Sequence, residues 1–261
     1  MCLTSYVLYL FSVALLLPHS IFIHVPKTGG SWVRKAIAHA GIPHTELLCR
    51  RSTRLGSLLF PAANGKRSWN HNCTHDGLRD IDPGDRFTFG FVRHPLSFYQ
   101  SYWRHKIRIG WDTENRFDRL NQAPDFSTFV ENTLAFRWLN GMEFSIEGIY
   151  SGCLEHSGRT VDFIGKQESL VEDLIRALRL AGEAFDEQKL YSTTVENSTE
   201  DDEELRRRSI FPPNLEARVL ERERETLRKY NYDARQTLQT GSLVGSPQRV
   251  HSVNILEGCK V

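Results

Sequence analysis

Lys27, Thr28, the pair Gly29-Gly30 and Ser31 stand between an apolar run, Ile21-Phe22-Ile23-His24-Val25, and a segment of helical pattern that opens at Trp32. These residue types suit the grip of an anion. Adjacent glycines let the backbone come close to a ligand, and a helix N-terminus presents N–H groups that have no partner within their own helix. Lys27 adds a mobile positive charge, and Thr28 and Ser31 add hydroxyl donors. The group they are suited to hold is a phosphate or a sulfate.

A second constellation follows in Phe89-Gly90-Phe91-Val92-Arg93-His94-Pro95-Leu96-Ser97-Phe98-Tyr99-Gln100-Ser101. A β-like run ends at Arg93, and Pro95 suits the first turn of a helix. Ser101, eight positions after Arg93, falls on the same side of that helix as Ser97. An arginine fork beside a serine hydroxyl is a receptor for phosphate.

The elements that must position these groups follow from periodicity. Residues 21–25, 86–92 and 161–165 read as buried strands. Residues 32–40 read as a helix with Ser31 as N-cap and Gly41 as its stop, and helical patterns recur over 95–108, 125–139, 169–181 and 214–230. Residues 43–83 form a long irregular excursion with one short element near 46–48, and loops of that length are often functional. The acidic run 200–204 followed by Arg206, Arg207 and Arg208 reads as a solvated junction. Strands alternating with helices imply an α/β fold with a mostly parallel sheet covered on both faces, and such sheets bind ligands at the C-terminal ends of their strands.

Composition narrows the partners. A 261-residue chain with 40% hydrophobic and 25% charged residues is long enough for one large domain with its own core. A formal net charge of +1 gives no overall attraction to nucleic acid or to an anionic membrane, so no nucleic-acid partner is expected and any anion site is local. The cysteines (Cys2, Cys49, Cys73, Cys153, Cys259) form no C-x-x-C pair and no zinc-like spacing with histidine, and no metal site is expected. Bridges Cys49–Cys73 or Cys73–Cys153 remain open alternatives, as do unbridged thiols.

Residues 1–20 are divided from the domain as an apolar leader, with the domain over 21–235 and a poorly ordered Gly/Ser/Gln-rich tail over 236–261. The leader has three readings: a short signal-anchor, a start placed too far upstream, or an extra buried segment. The first implies the secretory pathway or Golgi and membrane association through residues 1–20, and gives weight to the sequons at Asn72 and Asn197; otherwise the chain is cytoplasmic. The oligomeric state is left open.

A Walker A loop carries its lysine after the glycines, G-x-x-x-x-G-K-[ST]; here Lys27 precedes them and no such match occurs elsewhere. Pro26-Lys27-Thr28-Gly29-Gly30-Ser31 after an Ile/Val strand instead resembles the 5′-phosphosulfate loop of sulfotransferases dependent on PAPS (3′-phosphoadenosine 5′-phosphosulfate), closest to the carbohydrate branch containing heparan-sulfate 2-O-sulfotransferase. Phe91-Val92-Arg93-His94-Pro95 with Ser101 resembles the 3′-phosphate motif of the same family. Val161-Asp162-Phe163-Ile164-Gly165-Lys166-Gln167-Glu168 and the segment from Asn197 to Asp233 resemble later family blocks, Lys166 and Glu168 being either cofactor contacts or a surface ion pair. The resemblance implies a P-loop NTPase-like three-layer sandwich. It assigns Lys27, Thr28, Gly29, Gly30, Ser31 and Trp32 to the 5′-phosphosulfate and Arg93 and Ser101 to the 3′-phosphate, with adenosine 3′,5′-bisphosphate leaving and no metal required.

It also implies a histidine as general base. His75-Asp76-Gly77-Leu78-Arg79-Asp80-Ile81 resembles the family's His-x-x-x-Arg-x-Ile pattern, so His75 is expected in that role with His71 in reserve, while His24 and His94 support the loops they flank. The acceptor is expected to be a small molecule or glycan, with Trp69, Trp103, Trp111 and Trp138 as flat faces for a sugar and Arg50, Arg51 and Arg54 as attractors of an anionic chain. The rivals are a small-molecule kinase, which needs an ATP site the sequence does not display, and a nucleotide-binding protein without turnover.

Overall fold

A computed structural model describes residues 14–47, 77–194 and 202–232. His71, His75, Trp69, Arg50, Arg51, Arg54, Cys2, Cys49, Cys73, Cys259, both sequon asparagines and the 236–261 tail lie outside the described residues.

Ala14–Leu16 (β1) pairs antiparallel with Ser20–Ile23 (β2), which leads into the helix Gly30–His39 (α1). Thr45–Leu47 (β3) returns antiparallel along the free side of β1. Phe87–Val92 (β4) lies parallel to β2 and is followed by Pro95–Ile109 (α2), Arg116–Asn121 (α3), Phe126–Ala135 (α4) and Ile146–Leu154 (α5). The small hairpin Glu155–His156 (β5) and Arg159–Thr160 (β6) then leads to Phe163–Lys166 (β7), parallel to β4. Leu170–Ala181 (α6), Glu187–Ser192 (α7), Glu203–Arg208 (α8), Pro213–Arg222 (α9) and Arg224–Lys229 (α10) complete the described chain. The sheet order is β3-β1-β2-β4-β7, and only β1 runs against the other strands. The architecture is a mixed α/β sheet, mostly parallel, with helices on both faces.

Alternation along the strands separates two cores. Phe22, Phe89 and Phe91 point to the face covered by α1 and α6, where Val33, Ile37, Leu174 and Leu178 bury them. Ile21, Ile23 and Val92 point to the opposite face, under α2, α4 and α5. Because both faces are covered, these strands read in the sequence as continuous apolar runs.

Several boundaries differ from expectation for identifiable reasons. The first described strand is β1, inside the stretch read as an apolar leader: Leu15 and Leu17 are buried among the α1 and α6 side chains, and buried Glu183 accepts from the Ser20 hydroxyl at 2.7 Å and from the His19 N–H at 2.9 Å, tying down the β1–β2 turn. Helix α1 begins before Ser31 because Gly29 caps it with φ 89, a left-handed conformation that glycine adopts without steric cost; Ser31 is exposed in the first turn. The helix expected over 125–139 stops at Ala135. Gly141 at φ 81 turns the chain so that Arg137 pairs with Glu143, and Trp138 stands 41% exposed on the resulting tip. Helix α5, capped by Ser145, escapes the sequence pattern because Gly148 and Gly152 interrupt its periodicity.

The helix expected over 214–230 is two helices broken at Glu223. That carboxylate is fully buried, accepts from the Ile146 N–H at 3.0 Å and the Thr226 hydroxyl at 2.8 Å, and its burial raises its pKa. Among the described residues no helix is long and apolar enough to cross a membrane.

Leu15→Ala tests whether β1 belongs to the folded unit. Chemical denaturation should show a loss of about 2–5 kcal/mol, the usual cost of emptying a buried leucine site. Unchanged stability would mean that residues 14–16 are not part of the core.

Candidate active site

The site rests on one register. Ile23 faces Gly90 across the parallel β2–β4 pair, so the loop after β2 and the loop after β4 leave the sheet side by side at its C-terminal edge. Gly90 permits the packing beneath, since a Cβ there would stand 2.5 Å from Leu154 Cδ2.

The first loop is shaped from within. The buried Thr28 hydroxyl donates to the Val25 carbonyl at 2.9 Å, so it braces the turn. Lys27 itself has φ 64, a conformation uncommon for a non-glycine residue. At Gly29 a Cβ would stand 2.6 Å from Leu170 Cδ2, and at Gly30 it would run into the His24 ring. The glycine pair therefore answers packing against α6 and His24 as well as the backbone turn. Trp32 turns the other way: its indole N–H donates to the Thr193 carbonyl at 3.2 Å within the α1 core.

The second loop is anchored at both ends of Arg93. Its N–H donates to the Tyr150 hydroxyl at 3.0 Å, and that hydroxyl donates back to the Arg93 carbonyl at 2.8 Å. Arg93, 6% exposed, sends Nε to Ser97 Oγ at 3.0 Å and Nη1 to the Lys27 carbonyl at 3.3 Å. The second bond joins the two loops directly. Ser101 is buried one turn beyond Ser97.

Positive charge is crowded here. Burial pulls the Lys27 ammonium down to about 7, and Arg93, Lys106, Arg104 and Arg108 press it in the same direction. His105 is driven down to about 4 by burial and then by Lys27, Lys106 and Arg108, with Asp118 opposing. Lys106 has its own counter-ion in Asp118 at 2.5 Å. Arg104, His105 and Arg108 were not singled out from the sequence. Ser97, Ser101, Arg104 and Arg108 recur at helical spacing on one face of α2, and that pattern was available as a signal. A surplus of buried and half-buried cations is a receptor for a polyanion with separated negative groups.

The profile of the sulfotransferase family matches residues 19–238. The chain belongs to the sulfotransferase family. No curated protein and no solved structure matches it. Sulfotransferases move a sulfuryl group and generally take it from PAPS.

Other expected residues divide. Trp103 is fully buried with its N–H on the Ala123 carbonyl at 3.2 Å, so it is core and offers no face to a sugar. Trp111 packs half-buried against Phe129. Lys166 and Glu168 do not pair with each other: Lys166 Nζ reaches the Asn231 carbonyl and Glu168 receives the His94 N–H.

The low Lys27 pKa has a consequence without any ligand. Between about 7 and the ordinary 10.5 the unfolded chain holds a proton on Lys27 that the folded chain has released, so stability rises with pH across that window. Relative to Lys27→Met, wild-type unfolding free energy should climb by up to about 1.4 kcal/mol per pH unit there and stay flat below it. A difference independent of pH would contradict the burial of the ammonium.

Proposed function

We propose that this sulfotransferase transfers the sulfuryl group of PAPS to a hydroxyl of a carbohydrate acceptor, an amine being the less favoured nucleophile, in the manner of the heparan-sulfate 2-O branch. The observation that supports the reading is the Arg93–Lys27 hydrogen bond, which ties together the loop we assign to the 5′-phosphosulfate and the arginine we assign to the 3′-phosphate.

In this reading Lys27 and the N–H groups of Gly29, Gly30, Ser31 and Trp32 receive the 5′ end, with Thr28 bracing their turn, and Arg93 with Ser101 receives the 3′-phosphate. The acceptor oxygen forms its bond to sulfur as the sulfur–oxygen bond to the 5′-phosphate breaks in line. The electron pair and the negative charge pass to that phosphate, leaving adenosine 3′,5′-bisphosphate. Lys27, protonated once an anion is beside it, stabilises that charge, as do the loop N–H groups. The acceptor proton passes to a base, and His75 is proposed for it with His71 in reserve. His105 is a second, weaker candidate that the structure adds: burial and the cations Lys27, Lys106 and Arg108 keep it neutral, and the same surroundings oppose its taking up a proton. No metal is required, since the protein's own cations supply the charge.

Transfer of labelled sulfate from PAPS to desulfated heparan sulfate checks the reading. Lys27→Ala should lower the rate about 100–1,000-fold and removal of the true base about 100–10,000-fold, so His75→Ala and His105→Ala tell the two histidines apart. Phosphate transfer from ATP would favour the kinase. Bisphosphate binding without sulfation of any glycan tried would favour the protein without turnover.

A further inference from the structure

The last described turn of the chain reaches back to the donor loop. Asn231 takes φ 52, a left-handed conformation that asparagine tolerates, and the turn closes with the Tyr232 N–H on the Leu227 carbonyl at 2.9 Å. This geometry puts the Tyr232 hydroxyl 2.9 Å from Glu168 Oε2, to which it donates. The other oxygen of that carboxylate accepts the His94 N–H at 2.7 Å, in the residue next to Arg93. The Tyr232 ring also meets the His94 ring edge-on, 5.3 Å between centroids, and carries Lys166 Nζ 4.4 Å from its centroid, while that ammonium holds the Asn231 carbonyl at 2.7 Å. Tyr230, two residues earlier, packs edge-on to Tyr150, whose hydroxyl grips both backbone groups of Arg93. The peptides on either side of Arg93 are thus held by Tyr150 and Glu168, against which the C-terminal turn packs Tyr230 and Tyr232.

We propose that Glu168 and Tyr232 are positioning residues for donor recognition: the Tyr232–Glu168–His94 chain of hydrogen bonds fixes the backbone from which Arg93 reaches the 3′-phosphate. This rests on the reading of Arg93 as the 3′-phosphate receptor and adds to it a set of residues that need not touch the donor. Burial and the facing carboxylate raise the Tyr232 phenol far above its ordinary value, so it donates throughout the pH range in which the enzyme works. The carboxylate is the stronger acceptor for two donors at once, since hydrogen bonds to an ionised group are shorter and tighter than neutral ones. The latch acts on the angle and depth of a guanidinium whose fork must match a phosphate, and such a match is sensitive to small displacements.

The readout that separates positioning from general stability is discrimination at the 3′ position. Calorimetry with adenosine 3′,5′-bisphosphate and with adenosine 5′-monophosphate gives the preference conferred by the 3′-phosphate. Tyr232→Phe should cut that preference about three- to tenfold, and Glu168→Ala by about tenfold or more, with affinity for the monophosphate kept. Glu168→Gln, which can still accept from His94, should return the preference to within about threefold of wild type. If Glu168→Ala does not fold, Tyr232→Phe and Glu168→Gln carry the test. A preference unchanged in folded Tyr232→Phe and Glu168 variants, or equal weakening of both ligands, would overturn the latch. Absence of any preference in wild type would overturn the Arg93 reading and the latch with it.

Discussion

Much of this structure follows from placing two cationic loops side by side. Parallel pairing of β2 with β4 sends Lys27 and Arg93 to the same edge of the sheet, and the guanidinium is then bonded to the lysine's own carbonyl. Like charges on neighbouring loops repel, and burial in a medium less polarisable than water strengthens that repulsion. Burial first, and the Arg93 charge after it, lower the Lys27 pKa to about 7, so the ammonium can release its proton near neutral pH. The helix that follows Arg93 adds Arg104 and Arg108 to the same field, and Lys106 is balanced by a buried carboxylate. The Arg93 and Arg104 guanidiniums are buried and held in advance, and an anion placed between them would draw a proton back onto Lys27.

What keeps that arrangement rigid lies behind it. Tyr150 from one helix grips the N–H and carbonyl of Arg93, Glu168 after β7 accepts the His94 N–H of the same peptide, and Leu170 and His24 fill the spaces that only glycine could leave at positions 29 and 30. The buried carboxylate of Glu223 joins α2, α5 and the paired C-terminal helices through Tyr99, Ile146 and Thr226, so the layer supporting Arg93 is cross-linked by hydrogen bonds as well as packed. The edge that carries the two loops is polar, and the layer beneath it is largely aromatic.

Local features were legible in the sequence, and features that depend on distant partners were not. The Lys27 loop and the Arg93 strand could be read because each is a short run whose chemistry and neighbours are contiguous. The Gly41 helix stop was readable for the same reason, and it has positive φ. Ser31 was a reasonable cap by type, but a left-handed Gly29 starts the helix earlier, and nothing in composition distinguishes the two. Residues 14–17 were left open between a buried segment and a signal-anchor, because an apolar run reads alike whether it enters a sheet or a membrane, and only their burial decides. The charged stretch 214–230 keeps helical periodicity through Glu223, and only the distant Ile146 and Thr226 reveal why the helix breaks there. Trp103 could not be told from a sugar platform by its type; its burial decides.

The central claim is that the two loops form one receptor for the two anionic ends of a single nucleotide. The structure of the protein bound to adenosine 3′,5′-bisphosphate tests it most directly. The 5′-phosphate should sit at the N-terminus of α1 within reach of Lys27, and the 3′-phosphate on Arg93 and Ser101. A nucleotide bound elsewhere, or with only one phosphate engaged and the other in solvent, would contradict it.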